Sequence, residues 1–430
     1  MVEYADITKT GMAWLPQIPS RWTVRKLKYA FDERSEKGYP DEPLLVSSQN
    51  MGVVPKDVYG KRTVEAMKDL DKLKLVKVGD YVVSLRSFQG GIEYAYYQGI
   101  ISPAYTIIEP HEDFKSDYYK FLFKSVPFIK LLTTCVTGIR EGQNIDYKKL
   151  KNVQIPVPPC AEQDQIVRFL DWKVSEINKK ISLKRQSLDL LKELVNSAFA
   201  TLISSAFEKV RLKRVASLES DYIEINPDDY YKKAGMYNRG RGIFLRDPIK
   251  GTEMGDSKFQ RIHSDRLMIS GQFAWEDAVF VTSPKDEEGV ASHRYYLLKS
   301  INHDVPVEFL FGYFLSQKGF SDLKQCSHGS AGRNRPLNIN ELLRIEVPIV
   351  HDHEAVSKLC NLVHAYMAMR PIVLHEEAIL GELRNRIISD VVTGKIDVRN
   401  ITVPEYEHVD DIVADGLENN EETETDGEEA

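Results

Sequence analysis

The stretch IPVPPCAEQDQIVRFL, residues 155–170, runs alternating aliphatics into a double proline and then, with no glycine and no long loop, into a helical stripe of Ile166, Phe169 and Leu170. Residues 345–362, IEVPIVHDHEAVSKLCNL, repeat the arrangement. A strand that turns straight into a helix leaves no slack, so each junction predicts a rigid coupling of a β-containing unit to a helix. Two such junctions predict a chain made of two similar halves.

The repeat extends beyond the junctions at an offset near 192. VKVGDYVVS, with Gly79, pairs with MISGQFAWE, with Gly271, and GIISPAYTII from Gly99 pairs with GVASHRYYLL from Gly289. FLFKSVPFIKLL matches YFLSQKGFSDL, Phe128 over Phe320. TGIREGQNIDYKKLKNVQIPVP matches GSAGRNRPLNINELLRIEVPI, with Leu150 over Leu342 and Pro156 over Pro348. Each half reads as an α/β head of the α+β kind: short β-rich runs such as GDYVVSL and PAYTIIE, and one amphipathic helix near SDYYKFLFKSV. A long helix follows each head.

In the first long helix Leu170, Val174, Ile177, Ile181, Lys184, Leu188, Leu191, Val195, Ala198 and Leu202 recur at 3-4 spacing, the pattern of a coiled-coil seam. The equivalent positions in the second are Leu362, Tyr366, Met369, Val373, Glu376, Leu380, Leu383, Ile387, Asp390 and Gly394. The polar breaks Lys184 and Glu376 stand 192 residues apart and carry opposite charges. Two equivalent helices packed antiparallel about a pseudo-two-fold axis would bring these two residues together and fix the register of the pair. The alternative is two snorkelling side chains at a loosely packed spot. Pro371 predicts a kink or short break near Arg370. About 40 helical residues span roughly 60 Å, a spacer between two heads. The expected domains are a head at 1–159, a helix at 160–205, a second head at 206–350, a second helix at 351–400 and a tail at 401–430.

The chain has 430 residues, 42% of them apolar and 28% charged, at a formal net charge of −7. Residues 405–430 hold twelve acidic and no basic residues, which leaves +5 for the rest. The tail reads as disordered; a mildly basic body permits a polyanionic partner. No run of eighteen apolar residues occurs, and the N-terminal stretch has no signal-peptide pattern, so a prokaryotic cytoplasm is the expected location. Cys135, Cys160, Cys326 and Cys360 show neither paired nor metal-ligand spacing and read as buried free thiols, and no metal is expected. No GxxxxGK[ST] motif occurs, GTEMGDSK at Gly251 has the wrong spacing, and NPDDYY at Asn226 lacks the second proline and aromatic of an amino-methyltransferase motif. No catalytic residue is expected.

With its opening GMAWLPQIPSRWTVRKL, its IPVPPCAEQDQI junction and the VVTGKIDVR ending of its second helix, the chain resembles the DNA-specificity (S) subunit of type I restriction-modification enzymes over nearly its whole length. It departs from that pattern at VPIVHDHEAV, which lacks the proline-rich form of the first junction. The resemblance implies one target recognition domain per half of a split, asymmetric duplex-DNA sequence. It also implies docking of two methyltransferase and two restriction/translocase subunits, with S-adenosylmethionine, ATP and Mg used by those partners and no cofactor in this chain. The competing class is a non-catalytic two-headed adaptor for protein or RNA.

Base readout uses Arg, Lys, Asn and Gln side chains, and glycine-rich loops let backbone approach a ligand. Candidate contacts in the first head are Arg86, Ser87 and Gln89 in SLRSFQGG, and Arg140, Gln143 and Asn144 in TGIREGQN. In the second head they are Tyr237, Asn238, Arg239 and Arg241 in YNRGRG, Arg294 in SHR, and Arg333, Asn334 and Arg335 in HGSAGRNRP. The repeat superposes TGIREGQN on HGSAGRNR, which singles out that loop. For any one residue, the alternative is a surface arginine or capping Asn on a solvated loop.

Overall fold

The structure, a computed structural model, describes residues 2–49, 51–59, 69–83, 91–112, 114–137, 144–204, 208–238, 242–329 and 335–409. The internal repeat appears as the same sheet built twice. In the first head the strands Phe31–Arg34, Thr106–Pro110, Tyr81–Val83 and Ile92–Tyr94 lie in that order across an antiparallel sheet. In the second, Ala216–Glu219, Tyr295–Ser300, Leu267–Ser270 and Val279–Val281 occupy the same places. Each sheet carries a helix pair, Ser116–Lys124 with Val126–Leu132 and Val307–Leu315 with Gln317–Gln325. Their buried faces supply Tyr119, Leu122 and Phe123 to one core and Phe309, Leu310 and Phe314 to the other.

The offset between the halves drifts, which corrects one alignment. Phe31 and Ala216 begin equivalent strands 185 residues apart, whereas Gln154 and Glu346 begin the last strands 192 apart. Gly79, at φ +91° before the strand Tyr81–Val83, therefore matches Asp265, at φ +57° before Leu267–Ser270, and not Gly271. The left-handed turn is retained while its residue type changes, because Asp tolerates that region better than most residues. Gly271 lies beyond the strand, in a turn peculiar to the second head.

By packing, the chain divides into two units, Met1–Ser182 with Ala378–Ala430, and Leu183–Glu377. Both long helices, Cys160–Ser204 and His353–Val392, are split between them. In the first unit the junction strand Gln154–Val157 pairs antiparallel with Thr23–Lys26. The Pro159 carbonyl then accepts from the Glu162 and Gln163 amides at 2.8 and 3.0 Å, closing the first helical turn. Glu162, 4% exposed, accepts from the Tyr4 hydroxyl and, at 2.9 Å, from Trp22 Nε1. Gln163 accepts from the Lys115 amide and donates to the Pro158 carbonyl. Buried acceptors met from three segments make this strand-to-helix turn stiff.

The second junction reaches the same end by different chemistry. The strand Glu346–Ile349 pairs with Glu208–Arg211, and Asp352 Oδ1 caps the new helix through the Ala355 amide at 3.0 Å. In place of two prolines, His351 lies between two carboxylates, its Nδ1 2.9 Å from Asp304 and its Nε2 3.3 Å from Glu208.

Within the second unit the helices pack antiparallel, Val195, Phe199 and Leu202 meeting Val356, Leu359 and Val363. Lys184 Nζ pairs with Glu376, and Arg185 Nε pairs with Glu377 at 3.0 Å. The second helix buries Val363, Tyr366, Arg370, Val373, Glu377, Ile387 and Val391, whereas Met369 and Leu383 are 41% and 44% exposed. Half of the seam expected there is thus one residue further round the helix. Arg370, Glu377 and Arg384 occupy it, and apolar periodicity passes over charged positions. Pro371 is exposed and the helix is continuous through it, so the expected break is absent.

Two further expectations change. Cys135 and Cys326 are buried and Cys360 half-buried, but Cys160 is exposed as the first residue of its helix. The tail does not detach at residue 401, since Ile401 and Val403 pack on the first unit's core. Asn178 Nδ2 donates to the Val409 carbonyl at 3.2 Å, and Lys179 pairs with Glu407 at 2.9 Å. Residues 410–430 lie outside the described part. Among the described residues, no helix is long and apolar enough to cross a membrane and no group of His, Cys, Asp or Glu could hold a metal.

Candidate nucleic-acid interface

In the first head Arg86, Ser87, Gln89, Arg140 and Gln143 lie outside the described residues, as do Arg239, Arg241, Arg333 and Asn334 in the second. Asn144 is described at the backbone, where it pairs with Thr137 in a short antiparallel ladder. The described second-head candidates Tyr237, Asn238, Arg294 and Arg335 come from three separate loops, and one turn draws them together.

That turn is Gly271 to Asp277, the GQFAWED that follows the strand Leu267–Ser270. The Gly271 amide donates to the Arg294 carbonyl, and the Gly271 carbonyl accepts from the Leu337 amide two residues past Arg335, both at 2.7 Å. A Cβ on residue 271 would lie 2.7 Å from the Arg294 carbonyl oxygen, so only glycine allows this double approach. The Arg335 guanidinium sits 5.1 Å from the Trp275 ring centre. Asn238 donates through Nδ2 to the Glu276 carboxylate. Tyr237 ends the strand Tyr230–Tyr237 with its ring 4.4 Å from that of Phe244.

Each pairing fixes a side chain that could otherwise turn freely. An arginine laid on an aromatic face keeps its planar fork oriented for a two-pronged acceptor such as a guanine edge or a phosphate. An asparagine anchored through one amide hydrogen presents its remaining edge in a set direction. Gln272, Trp275 and Glu276 escaped the sequence reading because they sit outside the glycine-and-arginine loops. The available signal was a tryptophan in a glycine-led run without strand alternation.

The turn also carries unusual charge. Asp277 has φ +63°, its carboxylate is 14% exposed, and its Oδ1 has no hydrogen-bond partner. Burial raises its pKa, against the charges of Lys192 and Arg370. In the first head Glu93 follows the undescribed segment 84–90, buried and held by Lys124 Nζ at 2.7 and 2.8 Å. Burial pushes Glu93 up to about 7, against the pull of Lys124.

Residues 19–187 match the family model of the type I restriction modification DNA specificity domain. The chain is 21% identical to a putative type I restriction enzyme MjaX specificity subunit of Methanocaldococcus jannaschii, over 89% of this chain and 95% of that protein. It is 25% identical to the MjaVIII specificity subunit of the same organism, over 71% of this chain and 76% of that one. Among solved structures, one reported for the complex assembly and conformational transition of a type I restriction-modification system matches with a TM-score of 0.52 at 15% identity. That match covers 88% of this chain and 99% of the other and extends to the fold. With its duplicated heads, its pair of long helices and a specificity-domain match that runs through the first junction, the chain belongs to the family of type I restriction-modification specificity subunits, DNA-recognition components that are not themselves catalysts.

Proposed function

We propose that this chain reads an asymmetric, two-part duplex sequence, one half-site per head, and presents its long helices to the other subunits of the complex. The observation that carries this reading is the same four-stranded sheet built twice with different loops on it. Duplicated scaffolds suit two half-sites at separations near one duplex turn, about 34 Å, or its multiples, and divergent loops make the halves differ. In the second head Asn238, Arg294 and Arg335, gathered on the Gly271–Asp277 turn, read or position the duplex. In the first, the segments holding Arg86 to Gln89 and Arg140 to Asn144 do so.

Two methyltransferase subunits, using S-adenosylmethionine, dock on the helices, and two restriction/translocase subunits, using ATP and Mg, join them. The exposed Leu183, Leu190 and Leu194 of the first helix and Ile372, Ile379 and Leu383 of the second support this. Each set recurs at spacings of seven and four along its helix, an unpartnered apolar stripe that a partner helix could cover. The test is to express the chain with its methyltransferase partner in an unmethylated host and sequence the modified bases. A single two-part motif with a fixed spacer is expected. Absence of any motif, or a continuous one, counts against the reading.

A further inference from the structure

The two ends of the helix pair are equivalent by the internal repeat, yet their polar positions are filled differently. In the first unit Asn178, fully buried, accepts through Oδ1 from Arg384 Nη1 at 3.1 Å. The same two positions, moved by 192 residues, are Arg370 and Lys192 in the second unit. Two cations cannot bond as an amide and a guanidinium do. Arg370 is 5% exposed and Lys192 about one third, so neither charge is fully relieved by water.

Asp277 meets this need from outside the helices. Its carboxylate lies 3.8 Å from Lys192 Nζ and within the field of Arg370, whose Nη1 also donates to the Tyr366 hydroxyl at 2.9 Å. The Asp277 amide donates to the Ala274 carbonyl at 3.0 Å to close the turn. At φ +63° the residue adopts a backbone that most side chains avoid, and holding it there requires the surroundings to fix it. The neighbouring side chains Glu276 and Trp275 hold Asn238 and Arg335. The repeat places Leu85 at the equivalent position in the first head.

We infer that Asp277 is a positioning residue of the second head: its carboxylate, set between Lys192 and Arg370, anchors the Gly271–Asp277 turn to the helix pair and so fixes the aim of Asn238 and Arg335. This rests on the DNA-reading assignment above, but the anchor itself can be tested without it.

The test compares the wild type with D277N, R370N and the double variant, the second giving position 370 the asparagine found at 178. D277N should lower the unfolding temperature of the full chain by a few degrees and speed hydrogen exchange across 271–277. In the R370N background the same change should cost less than half as much, because the uncompensated cation is gone. With the methyltransferase partner, D277N should blur one half of the methylated motif at least tenfold, the other half and the spacer staying unchanged, and the double variant should recover it. Equal costs of D277N in both backgrounds would overturn the anchor, as would a motif weakened equally in both halves. Should the wild type methylate no two-part motif, the DNA-reading assignment fails, while the melting and exchange comparison still decides the anchor.

Discussion

Glu162 and Glu93 are both buried carboxylates, and their surroundings set them apart. Glu162 receives Tyr4 and Trp22 and lies 3.4 Å from Arg21, so its charge has donors from the N-terminal segment. Glu93 has Lys124, and burial still raises it to about 7 from an ordinary 4.5. A carboxylate whose folded pKa is raised contributes stability that is full below its unfolded value and lost as pH rises through the folded one. The stability of the first unit should therefore decline between about pH 4.5 and 7 through this group. In E93Q that decline should vanish, as chemical denaturation at several pH values would show; an unchanged pH profile would refute the assignment. Neither role was legible in the sequence. The partners of Glu162 lie 140 and 158 residues away, and Glu93 looks like any polar residue in a short strand. The candidate loops were chosen by residue type, which finds arginines and asparagines but not the Gly271–Asp277 turn that gathers them.

At the scale of the elements, both junctions and both long helices could be read directly, because prolines beside an uninterrupted 3-4 pattern leave few other structures. The polar face of the seam could not. A reading that follows leucines and isoleucines finds Lys184 and Glu376 but passes over Arg185 and Glu377, whose side chains are more buried at 27% and 6% against 36% and 42%. Register should depend mainly on the buried pair. A double-mutant cycle on Lys184 and Glu376 should give about 0.2–1 kcal/mol of coupling, as exposed ion pairs do. The R185E and E377R changes should each cost several-fold more than K184E or E376K, the double exchange recovering much of the loss. Equal coupling in the two cycles would return the register role to Lys184 and Glu376.

For the whole molecule, the two-fold repeat was the most legible property of the chain, because it needs only self-comparison. The fate of the C-terminal segment was the least. Its acidic composition suggested detachment from residue 401, but Ile401 and Val403 pack on the first core and Gln165 Nε2 donates to the carbonyls of Val398 and Ile401. A chain ending after Val409 should melt at the wild-type temperature, and one ending after Arg399 should melt several degrees lower; equal melting of the two truncations would show that residues 400–409 contribute nothing.

The ladder of Val2–Glu3 against Ile396–Asp397 sets an order of events during synthesis. Leu183–Glu377 is one continuous segment and can fold as soon as it emerges, whereas the first-made head lacks its closing strand until almost the last residues appear. At 5–20 residues per second that wait is roughly 20–80 s. Throughout it, Trp22 and Leu170 remain without the Val392 and Val398 that share their core. The N-terminal half of this chain is thus the half most exposed to aggregation on the ribosome, and lesions near residue 398 should be felt there first, as lost yield before lost recognition.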